Sequence, residues 1–453
     1  MVLTQHHPLS YSDGEGNPGF ERDLIELFAA EQGLHTRYIV VEPGELHQKL
    51  RRGEAHLAAA WLTASDDLSV AATNSFLESS DVLVQNEAAL LIDDDEALRG
   101  KTVHVMTGSR QYATLRDQQS RIDGLNIVEH PTGSPLDLLA AVAGGRIELA
   151  LVDSALLDIA LTYYPTLQPG LELTPSRPIA WLLPLHADND LLDKLNLFID
   201  HARQDGRLAR LEDRYFGHIR RLSEEDILQF LEDTRTRLPR YRRQFQNAQT
   251  ATGIDWRLLA ALSYQESHWD PLATSPTGVR GIMMLTEETA DALHVRNRLD
   301  PAECIPAAAR LVAQLKDMVA SSAPEPDKTW LALSAYNIGI GHFHAAVALS
   351  KSRNVDRNSW FEMKGILPLL AQPAYYSKLK SGRARGGEAV IMVENIRNFY
   401  GILSRYEPPY HPLPTLSESM AGAIGMGGEP GLKAQPANGL NAPAGKKSKT
   451  ATH

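Results

Sequence analysis

The chain carries a single cysteine, Cys304, in 453 residues, so no internal disulfide can form. That leaves the compartment open, because disulfides are common but not obligatory outside the cytosol. Basic residues are not in excess either: 45 Lys and Arg stand against 56 Asp and Glu, a net charge of −11. This argues against wholesale binding to nucleic acid or to anionic lipid and leaves room only for local basic patches. No apolar run is long enough to cross a bilayer as a helix. No basic n-region, apolar h-region and cleavage site precede Met1-Val2-Leu3-Thr4, which reads as an interior strand, and no N-terminal cysteine is there to carry lipid. The expectation is that a targeting segment has been removed or that the true start lies upstream.

What is present is globular text, long enough for two or three domains. Residues 1–218 alternate short apolar strands with helical stretches. Val103-His104-Val105-Met106 reads as a strand before the Gly108-Ser109 turn. Leu136 to Val142 is helix-like, Gly144-Gly145 breaks it, and Ile147 to Val152 reads as a buried strand ending at Asp153. Such alternation predicts an α/β module with mainly parallel sheets. Residues 219–250 are helical in pattern, with Ile227, Phe230 and Leu231 at helical spacing and Pro239 as the one interruption. They form either a helical connector or the last helix of the first module. Residues 251–406 read as all-helical. From Glu407 to His453 the text turns to Pro408-Pro409, Pro412, Pro414 and then Gly, Ala and Lys, which predicts a disordered tail.

In the third segment, Asp255 is a candidate N-cap, with Ile254 and Leu259 placed as a hydrophobic staple. Leu259, Leu262 and Glu266 then share one face, and Trp269-Asp270-Pro271 ends the helix just after Glu266. A carboxylate there meets the negative end of the helix dipole and an apolar surround, and both raise its pKa toward that of a general acid. Taken alone, Glu266 reads equally well as a surface glutamate near a helix end. Three further stretches bear on the choice. Gly278-Val279-Arg280-Gly281-Ile282-Met283-Met284-Leu285 is an apolar stretch between glycines that lets a long ligand approach closely. Ala335-Tyr336-Asn337 ends a helix, with Tyr336 suited to a sugar face, Asn337 to an acetamido group, and Gly339 and Gly341 to a close wall. Glu388 to Ile396 is a helix able to close a cleft.

In this order these pieces resemble the soluble lytic transglycosylase family, relatives of goose-type lysozyme. The resemblance lies in Glu266-Ser267 with Pro271, Gly281 to Leu285, Ala335 to Gly339, and Met392-Val393. With an α/β module in front, the whole chain is similar to the F-type membrane-bound lytic murein transglycosylases. Two positions depart from the pattern: Met284 stands where many members have glutamine, and Met392 where an aromatic residue is frequent. The resemblance implies that Glu266 is the catalytic acid and base. Ser267, Met283, Met284, Tyr336, Asn337 and Met392 would contact substrate. The reaction implied is cleavage between N-acetylmuramic acid and N-acetylglucosamine, with closure of a 1,6-anhydro ring and no water, cofactor or metal.

Residues 1–218 resemble family-3 periplasmic solute-binding proteins, through Gly19 to Leu24, Gly100 to Val103, the Gly108-Ser109 turn and the strand ending at Asp153. The resemblance implies a two-lobed module with a small ligand (a muropeptide, peptide or amino acid) between the lobes. Ser109, with Arg110 beside it, would take a carboxylate at a helix start. Asp153 would take an ammonium group. At Thr63-Ala64-Ser65-Asp66-Asp67-Leu68 the arginine usual in amino-acid binders is missing. The expected reading is a transglycosylase with a regulatory front module, in the periplasm at the inner face of the outer membrane. A lysozyme-like hydrolase, a non-catalytic wall-binding protein and, for the front half alone, a transporter's solute-binding subunit are the competing readings.

Overall fold

The computed structural model describes residues 1–411 apart from 13–17, 43, 64–68, 187–188, 220, 277, 320–321, 378 and 380–381. Residues 64–68 and most of the expected tail, 412–453, lie outside the described residues.

The strands of the front half are β1 (Val2–Thr4), β2 (Tyr38–Val40), β3 (Leu57–Ala58), β4 (Val70–Ala72), β5 (Leu77–Ser79), β6 (Asp81–Asn86), β7 (Thr102–Met106), β8 (Asn126–His130), β9 (Leu149–Asp153), β10 (Leu167–Glu172), β11 (Arg177–Ile179) and β12 (Leu182–Pro184). They build two five-stranded sheets, ordered β2-β1-β3-β12-β4 and β10-β6-β9-β7-β8. Parallel pairing joins β1 to β2 and β3, and β7 to β8 and β9. The sheets are nonetheless mixed rather than mainly parallel. The chain leaves the first sheet after β4, builds the second, and returns as β12, which runs antiparallel to β3 and β4. In the second sheet β6 is antiparallel to both β9 and β10. The crossing itself is a ribbon of β5 paired antiparallel with β11. All five residues of β9 are buried, as a strand covered on both faces requires. The helix Pro135–Ala143 starts on a Ser134–Asp137 capping box and stops at Gly144.

After the two sheets the described residues are helical. Ser223 and Asp226 form a capping box for helix Glu224–Thr236, and Pro239 sits in a 3₁₀ turn, Leu238–Arg240, before helix Arg242–Thr252. Proline removes a helical donor, so the chain breaks and restarts there. Ile227, Phe230, Leu238 and Phe245 are buried in one core with Trp256, Leu259, Leu262, Phe343, Trp360 and Ile396. At its centre lies helix Trp256–Ser267, in which every residue from Trp256 to Tyr264 is buried. It packs on helix Gly386–Tyr406 and on Arg242–Thr252.

Residues just past Glu407 are ordered against this core, which moves the start of any tail beyond the expected position. Trp256 Nε1 donates to the Pro408 carbonyl at 3.3 Å and Gln249 to that of Tyr410 at 2.8 Å, while Arg242 pairs with Glu407. Buried donors left by the helical core find their acceptors in this segment.

Helix Gly386–Tyr406 also ties the two halves together. Arg397 Nη2 donates to the carbonyls of Asp213 and Arg214 at 3.0 and 2.9 Å, and Asn398 to that of His218 at 2.6 Å. Arg405 meets Asp137 at 2.9 Å.

Candidate active site

Glu266 stands in the last turn of helix Trp256–Ser267. Asp255 caps that helix by accepting from the Arg257 N–H, and His268 and Trp269 end it in the left-handed region, at φ 51 and 56°. The buried Trp269 ring donates from Nε1 to the Ala260 carbonyl at 2.9 Å, which locks the turn under the glutamate. The Glu266 side chain is half-buried, and among the described residues no hydrogen bond or ion pair reaches its carboxylate. Desolvation alone pushes its pKa up to about 8.

Two cavities of about 380 and 280 Å³ meet at this residue and share Glu266, Asn337 and Glu388 in their walls. A long substrate thus has room on both sides of the glutamate. Tyr336, Met284 and His342 line the larger cavity, and Gln265, Ile391 and Met392 the smaller.

One wall is the turn Gly281 to Leu285. At Gly281, φ is 82° and an added Cβ would lie 1.7 Å from the Arg298 carbonyl oxygen, so only glycine fits. Met284 is itself left-handed, at φ 47°. Three hydroxyls hold the turn: Ser263 and Ser267 donate to the Ile282 carbonyl at 3.0 and 2.9 Å, and Tyr336 to that of Met283 at 2.8 Å.

These contacts revise two expected substrate residues. The Ser267 hydroxyl is spent on backbone carbonyls, those of Ile282 and Ser263, and lines neither cavity. Met283 is fully buried in the core, and only its carbonyl serves the site. Met284, Tyr336, Asn337 and Met392 do line the cleft. Gly339 has φ 82° between two helices, but a Cβ there or at Gly341 would meet nothing within 4 Å, so neither is needed to keep the wall close. Sequence reasoning missed Glu388, Arg383 and Arg385 as cleft residues. Glu388 lies four residues before Met392, so helical spacing alone would have placed it on the same face.

The three front-module residues also meet at one cavity, of about 340 Å³. Ser109 caps helix Arg110–Gln119, accepting from the Tyr112 N–H and donating to the Met106 carbonyl at 2.7 Å. Asp153, expected to take an ammonium group, already accepts three bonds: from Arg110 at 2.7 Å, Ser79 at 2.6 Å and the Ala155 N–H at 3.0 Å.

Known proteins match this chain over most of its length. Residues 243–359 match the transglycosylase SLT domain, and residues 1–218 the bacterial extracellular solute-binding proteins, family 3. A protein of Methylobacillus flagellatus named membrane-bound lytic murein transglycosylase F is 38% identical over 427 residues, covering 91% of this chain and 89% of its own length. One of the same name from Thiobacillus denitrificans is 39% identical over 427 residues, with 93% and 91% covered. Among solved structures, the substrate-binding protein of an amino acid ABC transporter superposes on 48% of this chain and 98% of its own, at 19% identity and a TM-score of 0.43. With relatives this similar over nine-tenths of its length, the chain belongs to the membrane-bound lytic murein transglycosylase F family.

Proposed function

We propose that the protein cleaves the bond between N-acetylmuramic acid and N-acetylglucosamine in murein glycan, with Glu266 as its one catalytic carboxylate. What carries this reading is an unpaired, half-buried glutamate whose pKa lies at about 8, at the meeting point of two cavities. Protonated at neutral pH, it donates to the leaving glycosidic oxygen. The substrate's own 2-acetamido group stabilises the cationic centre, the substrate-assisted exception to the two-carboxylate rule. Glu266, now ionised, takes the proton of the muramoyl C6 hydroxyl as that oxygen closes on C1. The ring closure gains from intramolecular proximity. Glu388 is the other carboxylate shared by both cavities, but it is exposed and paired with Arg385 at 3.5 Å. An exposed carboxylate already held by an arginine is a poor donor to a glycosidic oxygen.

Asn337, Tyr336, Met284 and Met392 are the groups we assign to contact the glycan, and Ser267 and Met283 to shape the wall. The proposed limits are a front module over 1–218, helices 219–250 leading into the enzyme, and a catalytic domain over 251–406. We place the enzyme in the periplasm, at the inner face of the outer membrane, where murein is accessible; among the described residues no helix is long and apolar enough to cross a membrane. The front module is proposed to bind a small ligand and to regulate the cleft, a reading supported by its two-sheet cavity and its fusion to an enzyme.

Mass spectrometry of soluble products from isolated murein sacculi tests the reaction. The expected products are muropeptides lighter by one water than those of a lysozyme. Reducing-end products would identify a hydrolase instead, and an active Glu266→Gln variant would remove the single-glutamate assignment.

A further inference from the structure

The larger of the two cavities at Glu266 has a positive rim that the cleavage step does not use. Its charged wall residues are Arg383, Arg385 and Glu388, beside Glu266, which its raised pKa keeps protonated. Arg385 and Glu388 face each other at 3.5 Å and offset one another. Arg383 remains. Its side chain is exposed, and among the described residues it makes no hydrogen bond or ion pair. One uncompensated cation therefore stands at the edge of the cleft, in a chain whose net charge is −11.

The backbone fixes this rim in place. Between the two arginines Ala384 is buried, and its N–H donates to the Leu370 carbonyl at 3.3 Å. Just after them Gly386 lies so close to Leu367 that an added Cβ would be 1.9 Å from its carbonyl oxygen. Gly382, just before them, turns the chain at φ 72°. The segment is thus tied down at its middle and at its end, while both flanking arginines are exposed and line the cavity. Such pre-ordering lowers the entropic cost of binding a partner there.

An uncharged sugar makes little use of a guanidinium fork, whereas a carboxylate matches it with two parallel hydrogen bonds. In murein, carboxylates are carried by the substituent of the muramoyl unit: those of its peptide, or the lactyl carboxylate where no peptide is attached. The bond assigned to Glu266 belongs to that same muramoyl unit, so its substituent enters the same cleft.

We propose that Arg383, with Arg385 beside it, is a specificity-determining residue that binds a carboxylate on the muramoyl substituent of the strand being cut. This role rests on the reading of the cleft as a murein-cleaving site and is measured separately from it. The pairing is the same before and during bond cleavage, so it lowers KM and leaves kcat alone.

The test uses the full chain and soluble murein glycan strands in three forms. The first is peptide-bearing, the second is the same material with its carboxylates capped as methylamides by carbodiimide coupling, and the third is stripped of peptide by an amidase and keeps only lactyl carboxylates. KM should be about three- to fivefold lower on the first form than on the capped one, as for a pair at a hydrated rim. The sign is informative, because repulsion from an acidic chain would by itself favour the capped strands. Arg383→Gln should remove most of the difference, Arg383→Glu should invert it, and added salt should shrink it in the wild type. On stripped strands, a KM as low as on peptide-bearing ones assigns the carboxylate to the lactyl group, and one as high as on capped strands assigns it to the peptide. Equal KM on peptide-bearing and capped strands, with both cleaved, would overturn the role of Arg383 and leave the reaction at Glu266 standing. Failure to cleave any of the three would remove both.

Discussion

At the residue scale, the proposed chemistry depends on keeping one carboxyl group protonated. The only cause acting on Glu266 is desolvation, and it raises the pKa to about 8. A carboxyl group whose folded pKa is raised contributes stability below its unfolded pKa, near 4.5, and that contribution is lost as pH rises through about 8. Glu266→Gln removes the titration. The variant should therefore match the wild type in melting temperature near pH 4 and exceed it progressively toward pH 8, by a few kcal/mol at most. Its turnover of murein should fall by about 10²–10⁴-fold or more. Wild-type activity should decline above about pH 8, as the acid form disappears. A melting-temperature difference independent of pH would contradict the burial argument even if activity were lost.

Between elements, the cleft wall is a tight turn fixed by hydroxyls on two helices. Gly281→Ala places a methyl group 1.7 Å from the Arg298 carbonyl oxygen at a positive φ. It should cost about 2–4 kcal/mol and deform the wall, measured as a lower melting temperature together with a raised KM. Ser267→Ala removes one of two hydroxyl bonds to the Ile282 carbonyl. About 1 kcal/mol should go with it. The kcat effect should be smaller than for Glu266→Gln, because Ser263 still holds the same oxygen. An equal loss in kcat would return Ser267 to the substrate. Much of this was legible in sequence. The Asp255 cap, the helix ending beside Glu266 and the glycine at 281 are local signals with local causes. What Ser267 and Met283 do was not, because both sit next to cleft residues in sequence while tertiary packing turns one to a carbonyl and buries the other. The mixed strand directions were hidden for the same reason: an apolar run specifies burial, while its direction depends on where the chain crosses between sheets.

For the whole molecule, the decisive feature is that one helix serves both halves. The N-terminal turns of Gly386–Tyr406 carry Glu388, Ile391 and Met392 into the cleft, and its middle carries Arg397 and Asn398 to the end of the front module. Arg397 is nearly buried. It bonds Glu394 at 2.8 Å, lies over the Trp330 ring at 5.7 Å and holds two carbonyls of the front module. Glu394 is fully buried, with Trp360 Nε1 at 2.6 Å and Lys364 Nζ at 3.8 Å as its other partners. Arg397→Ala therefore leaves a buried carboxylate with only the more distant Lys364 as cation and two carbonyls short of a donor, at a cost of about 3–5 kcal/mol. Because those carbonyls belong to the other half, the loss should appear in the coupling between halves as well as in total stability. Calorimetry should show one cooperative transition for the wild type and two for the variant. Arg397→Lys, which retains a charge for Glu394 but cannot reach both carbonyls, should restore part of the stability and little of the coupling. Murein turnover should fall in Arg397→Ala although the residue touches neither cavity, since the same helix carries the cleft wall. A single transition in both variants, with turnover intact, would mean that the halves are joined elsewhere, with the Arg405–Asp137 pair the first place to look.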